Sequence, residues 1–174
     1  MHAIRRARPD DAPALAELGA RTFVETFVEG FGIPYPPQDM AAFMDAAFSE
    51  RATRERLADP AQAWWVAEGD DGRLLGFAHA GPCALPHPDA APEHGELKRL
   101  YIAKDAQGSG LGRALLETAL AWMGERFEGP EWIGVWSGNL KAQRLYARYG
   151  FEKAGEYQFP VGQWRDDEFM LRRG

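Results

Sequence analysis

Leu97 to Gly112, reading LKRLYIAKDAQGSGLG, is the stretch that decides how this chain folds. Its opening alternates: Leu100 and Ile102 share one face with Glu96 and Lys98, and Leu97, Arg99 and Tyr101 share the other, which is the two-residue period of a sheet strand. A polar bend at Lys104 to Ala106 follows, and then Gly108, Gly110 and Gly112 lead into a helical run carrying Leu111, Ala114, Leu115, Ala119 and Met123. The first N–H groups of a helix lack intrahelical acceptors and sit at the positive end of its dipole, so such a turn holds a phosphate without any charged side chain. The same glycines would also serve a plain turn that needs φ > 0.

Two phosphate-binding motifs are excluded by spacing. A P-loop requires a lysine and a hydroxyl after its last glycine, and Gly112 is followed by Arg113 and Ala114. A dinucleotide fingerprint requires GxGxxG with an acidic residue about twenty residues on. Here the spacing is GxGxG, and Gly129 to Trp132 reads as a loop and the start of a strand.

A second strand-to-helix passage lies about thirty residues on: Trp136 to Phe151, WSGNLKAQRLYARYGF. Asn139 reads as a helix N-cap and Gly150 as a C-cap glycine, whatever else they do. Packing alone does not ask for a hydroxyl at Tyr146, where Phe would fit as well.

The first stretch resembles motif A of the GNAT superfamily of N-acetyltransferases, Q/R-x-x-G-x-G/A, in Gln107, Gly108, Ser109, Gly110, Leu111 and Gly112. The second resembles motif B, N-x-x-A-x-x-x-Y-x-x-x-G-F, at Asn139, Ala142, Tyr146, Gly150 and Phe151. The resemblance implies acetyl-CoA as cosubstrate, its pyrophosphate in the glycine cradle and its pantetheine on the backbone of Leu100, Tyr101 and Ile102. Asn139 and Tyr146 would complete the cofactor site. Arg113, Lys141, Arg144 and Arg148 are available to the phosphates, although arginines on a helix surface are commonly just solvated. By the same resemblance Tyr146 is the candidate acid and Glu96 the candidate base. Glu96 reads equally as a strand-end carboxylate paired with Lys98 or Arg99.

The chemistry has two proton problems. An amine with a lysine-like pKa of about 10.4 is neutral in only about one part in 2,500 at pH 7, a cost of roughly 4.6 kcal/mol that a base must relieve. The leaving thiolate gains from an acid beside it, and a backbone N–H near Tyr101 or Ile102 would serve the oxyanion.

Within the superfamily the chain looks most like the bacterial spermidine/spermine N-acetyltransferases, through TFVETF at residues 22–27, Glu96 to Ile102, WIGVW at residues 132–136, both motifs and a closing strand pair. Phe23, Phe27, Glu25 and Glu29 on the first helix would then line an acceptor cleft, the glutamates reading alternatively as a solvated face. The acceptor side also carries Pro-rich segments of its own at residues 33–37 and 82–92. Two rival readings are an acetyl-CoA sensor without turnover and a nucleotide-binding module on the same cradle. An amino acid or a protein amine remains an alternative acceptor.

The 174 residues, 45% hydrophobic and 26% charged, read as one globular domain over 1–174. The net charge of −6 argues against nucleic acid and favours a cationic acceptor. No apolar run reaches membrane-spanning length, and MHAIRRARPDD lacks a signal-peptide core, so the expectation is a cytoplasmic protein away from membranes. The lone Cys83 and the spacing of His79, His87 and His94 give no disulfide and no metal site, and the apolar content allows a homodimer interface.

The remaining periodicity predicts a strand at His2–Arg8, a helix capped by Asp10 or Asp11, breaks at Gly30, Gly32 and Pro34–Pro37, and helices from near Gln38 and from Ser49 to Leu57. A hairpin is predicted at Trp64–Glu68 and Arg73–Ala80. Further on come a strand at Glu131–Trp136, a helix at Asn139–Tyr149, and a strand pair about Gly162. The fold class is α/β (α+β): a mixed, mostly antiparallel sheet with helices on both faces, which the resemblance further implies is splayed between its fourth and fifth strands.

Overall fold

The computed structural model describes all 174 residues, and the strand of the opening stretch stands at the centre of its sheet. Five of the seven strands follow one another in chain order: β1 (His2–Arg6), β2 (Ala63–Gly69), β3 (Leu74–Pro82), β4 (Gly95–Ile102) and β5 (Glu131–Trp136). The hairpin of β6 (Glu152–Val161) and β7 (Trp164–Arg173) completes the sheet, with β7 against β5. Every pairing is antiparallel except β4 with β5. The hairpin, β5 and the strand pair thus lie where alternation and turn residues predicted.

One face carries α4 (Leu111–Arg126) and α5 (Leu140–Ala147). The α4 residues Leu111, Leu115, Leu116, Ala119 and Met123 recur at helical spacing and are fully buried against Ala78, Ala80, Leu97 and Ile133. Each buried leucine there contributes about 2 kcal/mol by leaving water. The opposite face carries α1 (Ala12–Phe23), α2 (Pro37–Phe48) and α3 (Glu50–Ala58). Leu15 and Leu18 pack on Trp64, Val66 and Phe77, while Phe23, Ala47 and Phe48 enclose Val161. Asp11 stands at the N-cap of α1, and Ser49 caps α3 by accepting from the N–H of Ala52 at 3.2 Å.

Three features escaped the periodicity. First, β4 contains a bulge: Leu97 pairs with Ala80 and Arg99 with His79, leaving Lys98 as an extra residue. The side-chain parity switches there, which corrects the faces read from alternation. Leu97 joins Leu100 and Ile102 on the α4 face, and Glu96 joins Arg99 and Tyr101 on the face of α1 and α2. Second, β4 and β5 pair only at Gly95–Glu131, Glu96–Trp132 and Leu97–Ile133, and then diverge. Third, α1 runs on without a break as a π-helical turn, Val24–Gly30, closed by the N–H of Phe31 donating to the carbonyl of Thr26 at 2.9 Å. The wide turn keeps a row of rings in contact, Phe23 to Phe27 at 4.9 Å and Phe27 to Phe31 at 5.9 Å between centroids.

No helix is long and apolar enough to cross a membrane, and no group of three or more His, Cys, Asp or Glu side chains is placed to hold a metal ion.

Candidate active site

Where β4 and β5 part, a cavity of about 180 Å³ passes through the sheet. Leu97, Leu100, Ala142 and Tyr146 line it on the α4–α5 side. Phe23, Phe27, Tyr35, Tyr157, Asp166 and Glu168 line it on the side of α1 and α2, with Glu96 and Tyr101 from β4. The cavity is therefore lined from both faces of the sheet.

The glycine cradle lies at the start of α4. Gly108 and Gly110 have φ of 80° and 85°, the left-handed region that a β-carbon disfavours, and no atom lies within 4 Å of where a Cβ would stand at either. The first helical bond is from the N–H of Ala114 to the carbonyl of Gly110 at 3.1 Å, so the N–H groups of Gly108 to Arg113 have no backbone acceptor. The turn is braced from within: the Ser109 hydroxyl donates to the carbonyl of Ala106 at 2.6 Å, and the Gln107 amide to that of Ile102 at 3.3 Å. An open surface of unpaired N–H groups with a dipole behind it fits a pyrophosphate. Gly112 falls inside the helix, and the Leu111 side chain is buried, leaving its backbone to face out. Arg113 is engaged along the helix by Glu117 at 2.9 Å, and Arg148 ends α5 on the surface.

Asn139 caps α5 by accepting from the N–H of Ala142 at 3.1 Å, and it also lines the cavity. Two turns further, Tyr146 is brought to the gap. It lines the cavity, and burial pushes its pKa well above the ordinary phenol value, so its hydroxyl stands as a neutral donor. Tyr101, on the other side of β4, is pushed up to about 12, chiefly by burial.

The α1–α2 side of the cavity is acidic and aromatic. Glu96 is buried, and its Oε2 accepts from the N–H of Ala84 at 2.8 Å and from the Lys98 ammonium at 3.1 Å. The ion pair with Lys98 and the place in the cavity thus coexist. Asp166 accepts from the Tyr35 hydroxyl at 2.5 Å and the Trp164 indole at 2.9 Å. Glu168 accepts from the Tyr157 hydroxyl at 2.5 Å, and its carboxyl is raised to about 7, first by burial, with Asp166 and Glu96 adding to the rise and the Tyr157 bond opposing it. Arg99 lines the cavity as well, its guanidinium 4.7 Å above the Phe48 ring and making no ion pair.

Phe23 and Phe27 stand where the sequence placed them, at the cavity wall. Glu25 is not brought there. It turns outward to Arg21 at 3.8 Å and lies in a shallow depression with Arg73, Lys104 and Asp105. The residues that sequence reasoning missed are Tyr35, Gly134, Trp136, Tyr157, Asp166 and Glu168. Two acids at alternate positions of a predicted strand, facing Tyr157 and Phe159 across the hairpin, were the available signal.

The sequence profile of the acetyltransferase (GNAT) family matches residues 21–151. An uncharacterized N-acetyltransferase of Mycobacterium bovis is 32% identical over 163 residues, covering 94% of this chain and 97% of that one. The phosphinothricin N-acetyltransferase of Alcaligenes faecalis is 34% identical over 181 residues, covering 97% and 81%. A spermine/spermidine N(1)-acetyltransferase of Bacillus subtilis is 33% identical over 92 residues, 51% of this chain and 59% of that one. Among solved structures, the PaiA N-acetyltransferase of Thermoplasma acidophilum in complex with coenzyme A superposes with a TM-score of 0.75 at 17% identity, over 99% of this chain and 98% of that one.

Proposed function

The chain belongs to the acetyltransferase (GNAT) family, and from that premise we propose that it transfers an acetyl group from acetyl-CoA directly to a primary amine of a small, cationic, polyamine-like acceptor. One observation carries the reading: the cavity runs through the splayed sheet from Tyr146 on the cofactor face to three carboxylates, Glu96, Asp166 and Glu168, on the other. The unpaired N–H groups of Gly108 to Arg113 hold the pyrophosphate, and the backbone of Leu100 to Ile102 is left unpaired towards β5 for the pantetheine. Aromatic walls from Phe23, Phe27 and Trp136 take up the methylenes of the acceptor and favour its positive charge. The Tyr146 hydroxyl protonates the leaving thiolate, and a carboxylate of the cavity takes a proton from the incoming ammonium.

An amino-acid acceptor is the second reading, and Arg99 favours it: an unpaired guanidinium in the cavity wall would suit a carboxylate or phosphinate. Turnover of acetyl-CoA measured across spermidine, spermine, amino acids and lysine peptides separates the two. Polyamines are expected to give the highest kcat/KM. No turnover with any polyamine would remove that acceptor class, and preference for an amino acid would establish the second reading.

A further inference from the structure

Both Glu96 and Glu168 reach the acceptor end of the cavity, but they are held differently. Glu96 has one oxygen fixed by two donors, the Ala84 N–H and the Lys98 ammonium, so a positive charge already sits against it. Glu168 has a neutral partner, the Tyr157 hydroxyl, on Oε2 only. The strand beneath makes room for that pair: a Cβ at Gly134 of β5 would stand 2.6 Å from the Tyr157 hydroxyl oxygen and 3.3 Å from Glu168 Oε2. Glu168 itself pairs with Trp136 on β5 and Tyr157 on β6, at the end where β5 has parted from β4.

On the acetyltransferase reading above, we propose that Glu168, oriented by Tyr157 over Gly134, is the group that takes the proton from the acceptor ammonium, and that Glu96 with its Lys98 partner is a positioning residue. The ammonium gives up two protons on becoming an amide. One goes to the Glu168 carboxylate and from there to water. The nitrogen lone pair forms the C–N bond as the C–S bond breaks, and the second proton ends on the coenzyme thiol by way of the Tyr146 hydroxyl.

The surroundings suit the task. The groups that share the cavity with Glu168 are Tyr157 on β6, Asp166 on β7, Tyr35 ahead of α2, and Glu96, Lys98, Arg99 and Tyr101 on β4; Lys98 is held by Glu96, and no lysine or arginine is paired with Glu168. Its carboxyl, raised to about 7, is half ionised near neutrality, where a general base works best.

The test is the pH dependence of kcat/KM for the amine that turns over fastest among spermidine, spermine, amino acids and lysine peptides, with acetyl-CoA affinity measured alongside. Wild type is expected to rise with pH through a limb near 7. Glu168→Gln should lower kcat at least a hundredfold, erase the limb and leave acetyl-CoA affinity within twofold, which also reports that the variant is folded. Tyr157→Phe should keep measurable turnover and move the limb to higher pH, because the lost bond favoured the ionised carboxylate. Glu96→Gln should cost less than tenfold and keep the limb. A limb that persists in Glu168→Gln overturns the proposal, whatever Glu96→Gln does. A wild type that turns over none of these amines defeats the small-amine reading itself, and the proposal with it.

Discussion

The two ends of the cavity are built in opposite ways. On the cofactor side the proposed working groups are backbone N–H groups of one contiguous turn, Gly108 to Arg113, plus Tyr146 in the last turn of α5. On the acceptor side they are side chains gathered from α1, the segment before α2, β4, β6 and β7: Phe23, Tyr35, Glu96, Tyr157 and Glu168. A contiguous backbone site is fixed once its local conformation is fixed. A site assembled from five elements depends on how the sheet closes around it.

That contrast can be broken experimentally, and the largest effect is expected where the two sides meet. Tyr146→Phe should reduce kcat by a hundredfold to ten-thousandfold (about 3–5 kcal/mol) with coenzyme A affinity unchanged, since the ring still packs and only the proton donor is lost. Equal loss of affinity and turnover would place Tyr146 in binding instead. Next, Gly110→Val puts a β-branched side chain at φ 85°, a strain of about 1–3 kcal/mol, and acetyl-CoA affinity should drop at least tenfold while the isolated protein stays folded. Unchanged affinity by calorimetry would remove the cradle from the cofactor site.

On the acceptor side the effects on stability and on amine binding are smaller and of a different kind. The Glu168 carboxyl is raised from 4.5 to about 7, so stability from this group is fully present below pH 4.5 and lost as pH rises through about 7. Glu168→Gln removes that loss. It should stabilise the fold by about 1–2 kcal/mol at pH 8, discounting for the side that opens to the cavity, and by little at pH 5, as thermal unfolding at the two pH values would show. Gly134→Ala should displace the Tyr157–Glu168 pair at a cost of about 1–2 kcal/mol and raise the KM for the amine without touching acetyl-CoA affinity. At the bottom of the scale, Glu25→Gln should leave both KM values within about twofold, because Glu25 faces Arg21 and the depression by Lys104 rather than the cavity. A larger rise in the amine KM would return Glu25 to the acceptor site.

How much of this was legible follows from where each signal is stored. The elements were legible because alternation, helical spacing and turn residues are local, and β5 at Glu131–Trp136 matches the prediction residue for residue. The glycine turn was legible for the same reason, since positive φ at Gly108 and Gly110 is a property of three or four consecutive residues. The π-helical turn at Val24–Gly30 was not, because the ring contacts that accompany it, Phe23 with Phe43 at 4.9 Å and Phe31 with Trp136 at 4.6 Å, join distant parts of the chain. Nor was the face of Glu96. A single inserted residue, Lys98, reverses the parity of β4, and only the register against β3 reveals it.

By itself, then, the sequence determined the order of the elements and the glycine turn before α4, and it singled out Tyr146 and Glu96, which line the cavity. The parting of β4 and β5 was implied by the resemblance; the tertiary structure alone decided that it falls after Leu97, that the cavity so opened crosses the sheet, and that Glu168 and Tyr157 meet there while Glu25 does not. The physical reason is one of range: backbone conformation and capping are settled within a few residues, whereas the burial that raises the Glu168 carboxyl exists only once five elements have packed around it.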